Sequence, residues 1–191
     1  MEGSSFLSLG YNFLSLTINS IDEMEKQENK SLVLSDMIYS DDVSFKKYDE
    51  MTKWNDFNIG IPVLFNFFHG HELILKGILE LLAIKAPKSH NLSAILAKLE
   101  VISNPDLSNL IIHLNDVLNN NGFEKFFIEN DKNVDSYYIL LKYPEEKSTS
   151  FKYRMVKGNN ENLGLTRFLR IRELSLRTRK EIINWVKLKN Q

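Results

Sequence analysis

The chain has 191 residues, with 24 Lys+Arg against 25 Asp+Glu, a formal net charge of −1, 43% hydrophobic residues and no cysteine. That length fits one domain able to bury a core, and the lack of Cys excludes disulfide scaffolds, thiol nucleophiles, iron–sulfur clusters and Cys-ligated zinc. No run approaches the ~20 apolar residues of a membrane span, and Met1-Glu2-Gly3-Ser4-Ser5 is not a basic leader, so a cytoplasmic protein without membrane association is expected.

Only 8 Gly and 4 Pro punctuate the chain, which favours long helices over a many-turned β fold. Ser4/Ser5 are placed to cap a first helix reaching about Lys30, with Phe6, Leu9, Phe13, Leu16, Ile21 and Met24 at helical spacing. Residues 31–59 read as an irregular connection, in which Ser31 to Tyr39 is a short strand or a tucked segment ended by Asp41-Asp42. The clearest helix opens at Gly60-Ile61-Pro62, with Pro62 at a first helical position. Leu64, Phe67, Phe68, His71, Leu75, Ile78 and Leu82 form its apolar stripe to about Lys85. Ser89 or Asn91 caps the next helix, lined by Leu92, Ile95, Leu96, Leu99 and Ile102. After Asn104-Pro105-Asp106 a third stripe follows, Leu107, Leu110, Ile111, Leu114 and Leu118, closed by Asn119 to Gly122 in left-handed-cap fashion. Residues 123–158 read as a second irregular connection, where alternating Phe151 to Val156 suggests a strand pairing with 137–142. Asn160 to Lys189 closes the chain as a long helix with Leu165, Leu169, Leu176, Ile183 and Val186 on one side. The expected fold is mainly α: an up-and-down bundle of four to five helices, core 62–186, with a small irregular or two-stranded insert, in a single domain.

Charge is segregated along the chain. Residues 1–150 sum to −9 and residues 151–191 to +8, and every arginine lies in the latter segment. A basic segment is a footprint for phosphate or an acidic partner, although it also suits docking onto the chain's own acidic body. On the last helix Arg167, Arg170, Arg177 and Lys180 share one stripe, with Arg172 and Arg179 beside it near the apolar face. These six are the candidate binding surface, whether for RNA phosphates, for an acidic protein, or for a second protomer. No aromatic platforms interleave with them, because Phe168 and Trp185 fall on the buried side.

Phosphate-cradling GxxxxGK[ST] and GxGxxG are absent, as are GxSxG and HExxH, so no cofactor is expected. His69 and His71 stand two apart, which on a helix aims them about 200° from one another, so no metal site is expected. His71 lies on the apolar stripe as a core histidine. His69, Glu72, Lys76 and Glu80 stack as a polar stripe on a helix that is apolar nearly all round. Partial burial of the Glu72–Lys76 pair then follows, and a buried ion pair demands further hydrogen bonds.

His71-Glu72-Leu-Ile-Leu-Lys76-Gly-Ile-Leu, followed by Ser89-His90-Asn91-Leu92-Ser-Ala-Ile-Leu96, resembles the HEPN superfamily of helical domains. There a helix reading E-L-x-x-K-x-L-L precedes one opened by [TS]-H-[DN]-L. Tyr137 to Pro144 looks like the family's L-R-Y-P element, with Lys142 in the arginine position. The resemblance implies a helical bundle, commonly a homodimer, in RNA-targeting or in prokaryotic defence and toxin systems. Ribonuclease members use Arg-x4–6-His. Here the last histidine is His113 and the first arginine Arg154, so that motif does not exist in this chain. The expected function is therefore a non-catalytic binding or dimerisation module. The alternative is a metal-independent ribonuclease with His90 or His69 as general base and a tail arginine on the phosphate, with Glu72 and Lys76 as further candidates.

Overall fold

The computed structural model describes residues 2–30, 41–102, 104–143 and 163–189, and every regular element among them is helical. In order they are α1 (Glu2–Lys26), α2 (Asp41–Thr52), α3 (Asp56–Leu81), α4 (Leu92–Glu100), a 3-10 turn (Pro105–Leu107), α5 (Ser108–Asn119), α6 (Glu124–Glu129), α7 (Val134–Lys142) and α8 (Leu163–Lys189).

Helix α3 is the hub, packed by α1, α4, α7 and α8. Its pairing with α1 is antiparallel and unusually close, because glycines face glycines. A Cβ on Gly10 would stand 2.8 Å from the Gly70 carbonyl oxygen, and one on Gly77 would stand 3.0 Å from that of Gly3. Buried Gly3, Leu7, Gly10, Leu14, Thr17, Ile21 and Met24 of α1 follow alternating steps of four and three, the seam of a tight helix pair, with Ile18 and Ser20 buried beside it. Two glycines seven apart on each strand of the seam let the backbones approach where any side chain would hold them off.

Helix α8 lies antiparallel to α1, through Asp22–Arg172 and Tyr11–Arg179, and antiparallel to α5, through His113–Thr178 and Asp116–Arg170. It buries Phe168, Ile171, Leu174, Ile182 and Trp185. At its centre Thr178 joins three helices. His71 Nε2 and His113 Nε2 lie 2.9 and 2.8 Å from its hydroxyl, and His71 Nδ1 lies 2.7 Å from the Phe67 carbonyl. A proton assignment with neutral rings has His71 Nδ1–H donating to Phe67, His113 Nε2–H donating to Thr178, and the Thr178 O–H shared between His71 Nε2 and the Leu174 carbonyl, 2.9 Å from each. Both imidazoles are then neutral. Burial pushes the His71 pKa down to about 3 and that of His113 to about 4, the neighbouring Arg177 adding to the latter.

The mainly helical expectation holds, with His71 in the core, but several boundaries move. Helix α3 starts at Asp56, not near Pro62, which sits inside it. The Asn55 side chain caps it by accepting from the Asn58 N–H, and Asn29 accepts from the Asp56 N–H, so these bonds outweigh the cost of an internal proline. Asp41-Asp42 opens α2 within the stretch read as irregular, as acids at a helix start do. Two helices, α6 and α7, occupy the stretch read as the second irregular connection. Residues 137–142 belong to α7, which an Asn133–Ser136 capping box starts, so they are not a strand. Residues 31–40 and 151–156, where strands were considered, lie outside the described residues. On α1 the glycine seam turns Leu9 and Leu16 outward, and Ser4/Ser5 lie within the helix rather than before it. On α8 Leu176 and Ile183 are exposed, because Phe168, Thr178 and Trp185 define the inward face.

Candidate functional site

Three short segments meet around one carboxylate. On α3, the helical spacing of His69, Glu72 and Lys76 stacks them toward α7 and the loop before α4. That loop leaves α3 through Ala86, whose N–H donates to Glu80 Oε1 at 2.7 Å, and enters α4 through Asn91, which caps it by accepting from the Ala94 N–H. Asp135 in the first turn of α7 accepts from the Ser93 N–H at 3.1 Å, fastening α4 to α7. His90 is thereby delivered beside Glu72, while Tyr138 and Lys142, one turn apart on α7, approach from the other side.

Glu72 has a side chain only 2% exposed. Its Oε1 accepts from Lys76 Nζ at 2.6 Å and from His90 Nδ1 at 2.7 Å. Its Oε2 accepts from the Tyr138 hydroxyl and from Lys142 Nζ at 3.1 Å. Behind them His69 Nδ1 lies 2.8 Å from the Tyr138 oxygen, its ring stacked on Phe65 and edge-on to Phe13. At the rim the Tyr143 hydroxyl lies 3.1 Å from His90 Nε2. Burial by itself raises a carboxyl pKa, but nearby His69, 3.7 Å away, and hydrogen bonds from Lys76, Tyr138 and His90 outweigh it and hold Glu72 well below the usual carboxylate range. Burial, and then the carboxylate it serves, push the Tyr138 hydroxyl up. Glu72 is thus a permanent anion and Tyr138 a permanent donor.

His69, Glu72 and Lys76 of the polar stripe and His90 before α4, the four catalytic candidates, lie in this cluster, and the burial expected of the Glu72–Lys76 pair is found. Glu80 does not join; it holds the turn after α3. His90 makes side-chain contacts into the cluster rather than merely fixing its loop. Sequence reasoning did not name Tyr138, Lys142 or Tyr143 as site residues. The signal was there: a tyrosine and a lysine four apart, next to a second tyrosine, in the segment that carried the third motif.

The arginines of α8 go elsewhere. Arg170 pairs with Asp116 at 2.7 Å and Glu173 at 3.1 Å, Arg172 pairs with Asp22, and Arg179 bonds the Tyr11 hydroxyl and lies over that ring, 4.1 Å from its centroid. These three tie the basic helix to α5 and α1 of the same chain. Arg167 is half-buried, and Arg177 and Lys180 are exposed beside Leu176 and Ile183. The partners of His69 and His90 are the cluster residues, and the bonded arginines of α8 act on α1 and α5. Among the described residues no helix is long and apolar enough to cross a membrane. No family model, curated protein or solved structure matches the chain.

Proposed function

We propose that the chain is a HEPN-like helical module that binds a partner or a second copy rather than cutting RNA, in an RNA-linked or prokaryotic defence or toxin-type system. What carries the reading is the convergence on Glu72 of the three segments that bear the resemblance: Glu72 and Lys76, His90, and Lys142 with Tyr143. Motifs that meet at one buried carboxylate behave as one unit of a fold. The catalytic Arg-x4–6-His of ribonuclease members is absent from the sequence.

The contact surface is the outward side of α8. With Arg170, Arg172 and Arg179 bonded internally, Arg177 and Lys180 remain outward, flanked by exposed Leu176 and Ile183. Mixed apolar and cationic character suits a protein interface better than a phosphate track. Light scattering of the purified protein should give a dimer mass, and Arg177→Glu with Lys180→Glu should lower it or abolish partner capture. A variant whose mass and partner binding both match those of the unmodified protein would sink the reading.

A second reading, a ribonuclease centred on His90, draws on one observation. Glu72 accepts from His90 Nδ1 and leaves Nε2 toward the accessible rim, the arrangement of an oriented general base. RNA cleavage that survives EDTA and is lost in His90→Ala would establish it.

A further inference from the structure

The Glu72 cluster has more hydrogen-bond donors and more positive charge than its single carboxylate can take up. A carboxylate offers about four lone-pair positions, and here Lys76, His90, Tyr138 and Lys142 take four. Two ammonium groups face one anion. Lys76 spends one of its three N–H bonds on Glu72. The position of Lys142 is less satisfied still. His90 Nδ1 lies 2.7 Å from Glu72 Oε1 and 2.8 Å from Lys142 Nζ. A proton on Nδ1 serves the carboxylate and presents Lys142 with an N–H instead of a lone pair. Among the described residues Lys142 therefore keeps spare donors and an unfavourable neighbour. Nε2 is then the acceptor for the Tyr143 hydroxyl, whose single proton turns outward only when a stronger acceptor replaces that nitrogen.

These spare donors sit where a small ligand can reach them. Side-chain exposure rises outward, from 10% at Lys76 to 19% at Lys142 and 28% at His90, and Tyr143 as a whole residue is exposed. The acid that faces this rim from α7, Asp135, is already bonded to the Ser93 N–H, and the amide of Ala94 in α4 is taken by Asn91. Side chains, not the helix terminus, would hold the ligand.

We propose that Lys142 and Tyr143, positioned by His90 and backed by Lys76, form a binding site for a small oxyanion of the phosphate class, either the free anion or the terminal group of a phosphate monoester. The ligand takes the Lys142 N–H groups that Glu72 does not use and draws the Tyr143 O–H away from His90 Nε2, and it neutralises the charge that Glu72 leaves over. Glu72 positions the donors and does not touch the ligand. This inference stands apart from the α8 interface.

The test is titration of the full chain with inorganic phosphate and with phenyl phosphate at constant ionic strength, chloride serving as the control. Saturable phosphate binding is expected, about tenfold weaker in Lys142→Met for the loss of a charge-assisted bond. Binding is expected to persist in Lys142→Arg and in Arg177→Ala with Lys180→Ala. In the unmodified protein, the His90 ring resonances should move with the same half-saturation, a readout that does not require the variant to fold. Phenyl phosphate binding in competition with phosphate identifies the monoester; phosphate binding alone identifies the free anion. No saturable binding, unmoved His90 resonances, or loss of binding only in the α8 double variant would overturn the proposal.

Discussion

Acidification should unfold this protein through two histidines that no surface measurement reports. His71 and His113 are both completely buried, share Thr178 as a hydrogen-bond partner, and are neutral in the fold. Their pKa values in the folded state are near 3 and 4, whereas an unfolded histidine titrates near 6.5. The unfolded chain therefore binds more protons between those limits, and stability falls as pH drops below about 6.5. Above that pH the contribution is complete. At pH 5 each unfolded imidazole is favoured by about 1.5 pH units of proton binding, ~2 kcal/mol, or ~4 kcal/mol for the two. That is a large part of the ~5–15 kcal/mol of a typical domain. Urea unfolding followed by circular dichroism at pH 7.5, 6.5, 6.0, 5.5 and 5.0 reads it directly. Groups with their own pH dependence, such as Asp56, whose carboxyl burial raises, and Glu72, cancel on comparison with His113→Gln. Glutamine keeps a donor toward Thr178 but does not titrate, so the slope between pH 6 and 5 should fall by about half. Equal slopes in the two proteins, or a flat profile for the unmodified chain, would refute the account.

Three other outcomes follow from the packing and the charges. Gly10→Ala should destabilise by about 1–2 kcal/mol, overpacking against the Gly70 carbonyl outweighing the helix-propensity gain of alanine; a higher Tm would mean the α1–α3 seam is looser than described. Glu72→Gln, which leaves two lysines facing each other, should cost about 3–5 kcal/mol in urea unfolding, far more than Glu80→Gln at the turn after α3. Arg172→Ala, which breaks a half-exposed pair with Asp22, should cost less than about 1 kcal/mol, and a larger loss would show that the basic helix depends on that clasp.

Much of the local organisation was legible. The stacking of His69, Glu72 and Lys76, and the divergence of His69 and His71, follow from 3.6 residues per turn alone, and of the two caps offered for α4, Ser89 and Asn91, the structure uses Asn91. The partial burial of Glu72 was legible from apolar residues all round its helix. The faces of α1 and α8 were not, because both helices carry apolar residues on more than one side. On α1 the decision rests with Gly3 and Gly10, whose missing side chains matter only once Gly70 and Gly77 lie opposite. The start of α3 was hidden for a similar reason: Asn29, 27 residues upstream, accepts the Asp56 amide.

Composition and periodicity establish a helical chain without cysteine chemistry, with its net positive charge in residues 151–191 and a Glu–Lys pair on an apolar helix. Helix packing is what bonds three arginines of α8 to α1 and α5 and surrounds Glu72 with His90, Tyr138 and Lys142. Helical periodicity acts over three or four residues, so it sets which side chains share a face. The partners of a buried charge are chosen across 18, 66 and 70 residues of chain, and that choice is made by packing: the desolvated carboxylate needs its donors, and only the assembled helices bring them within reach.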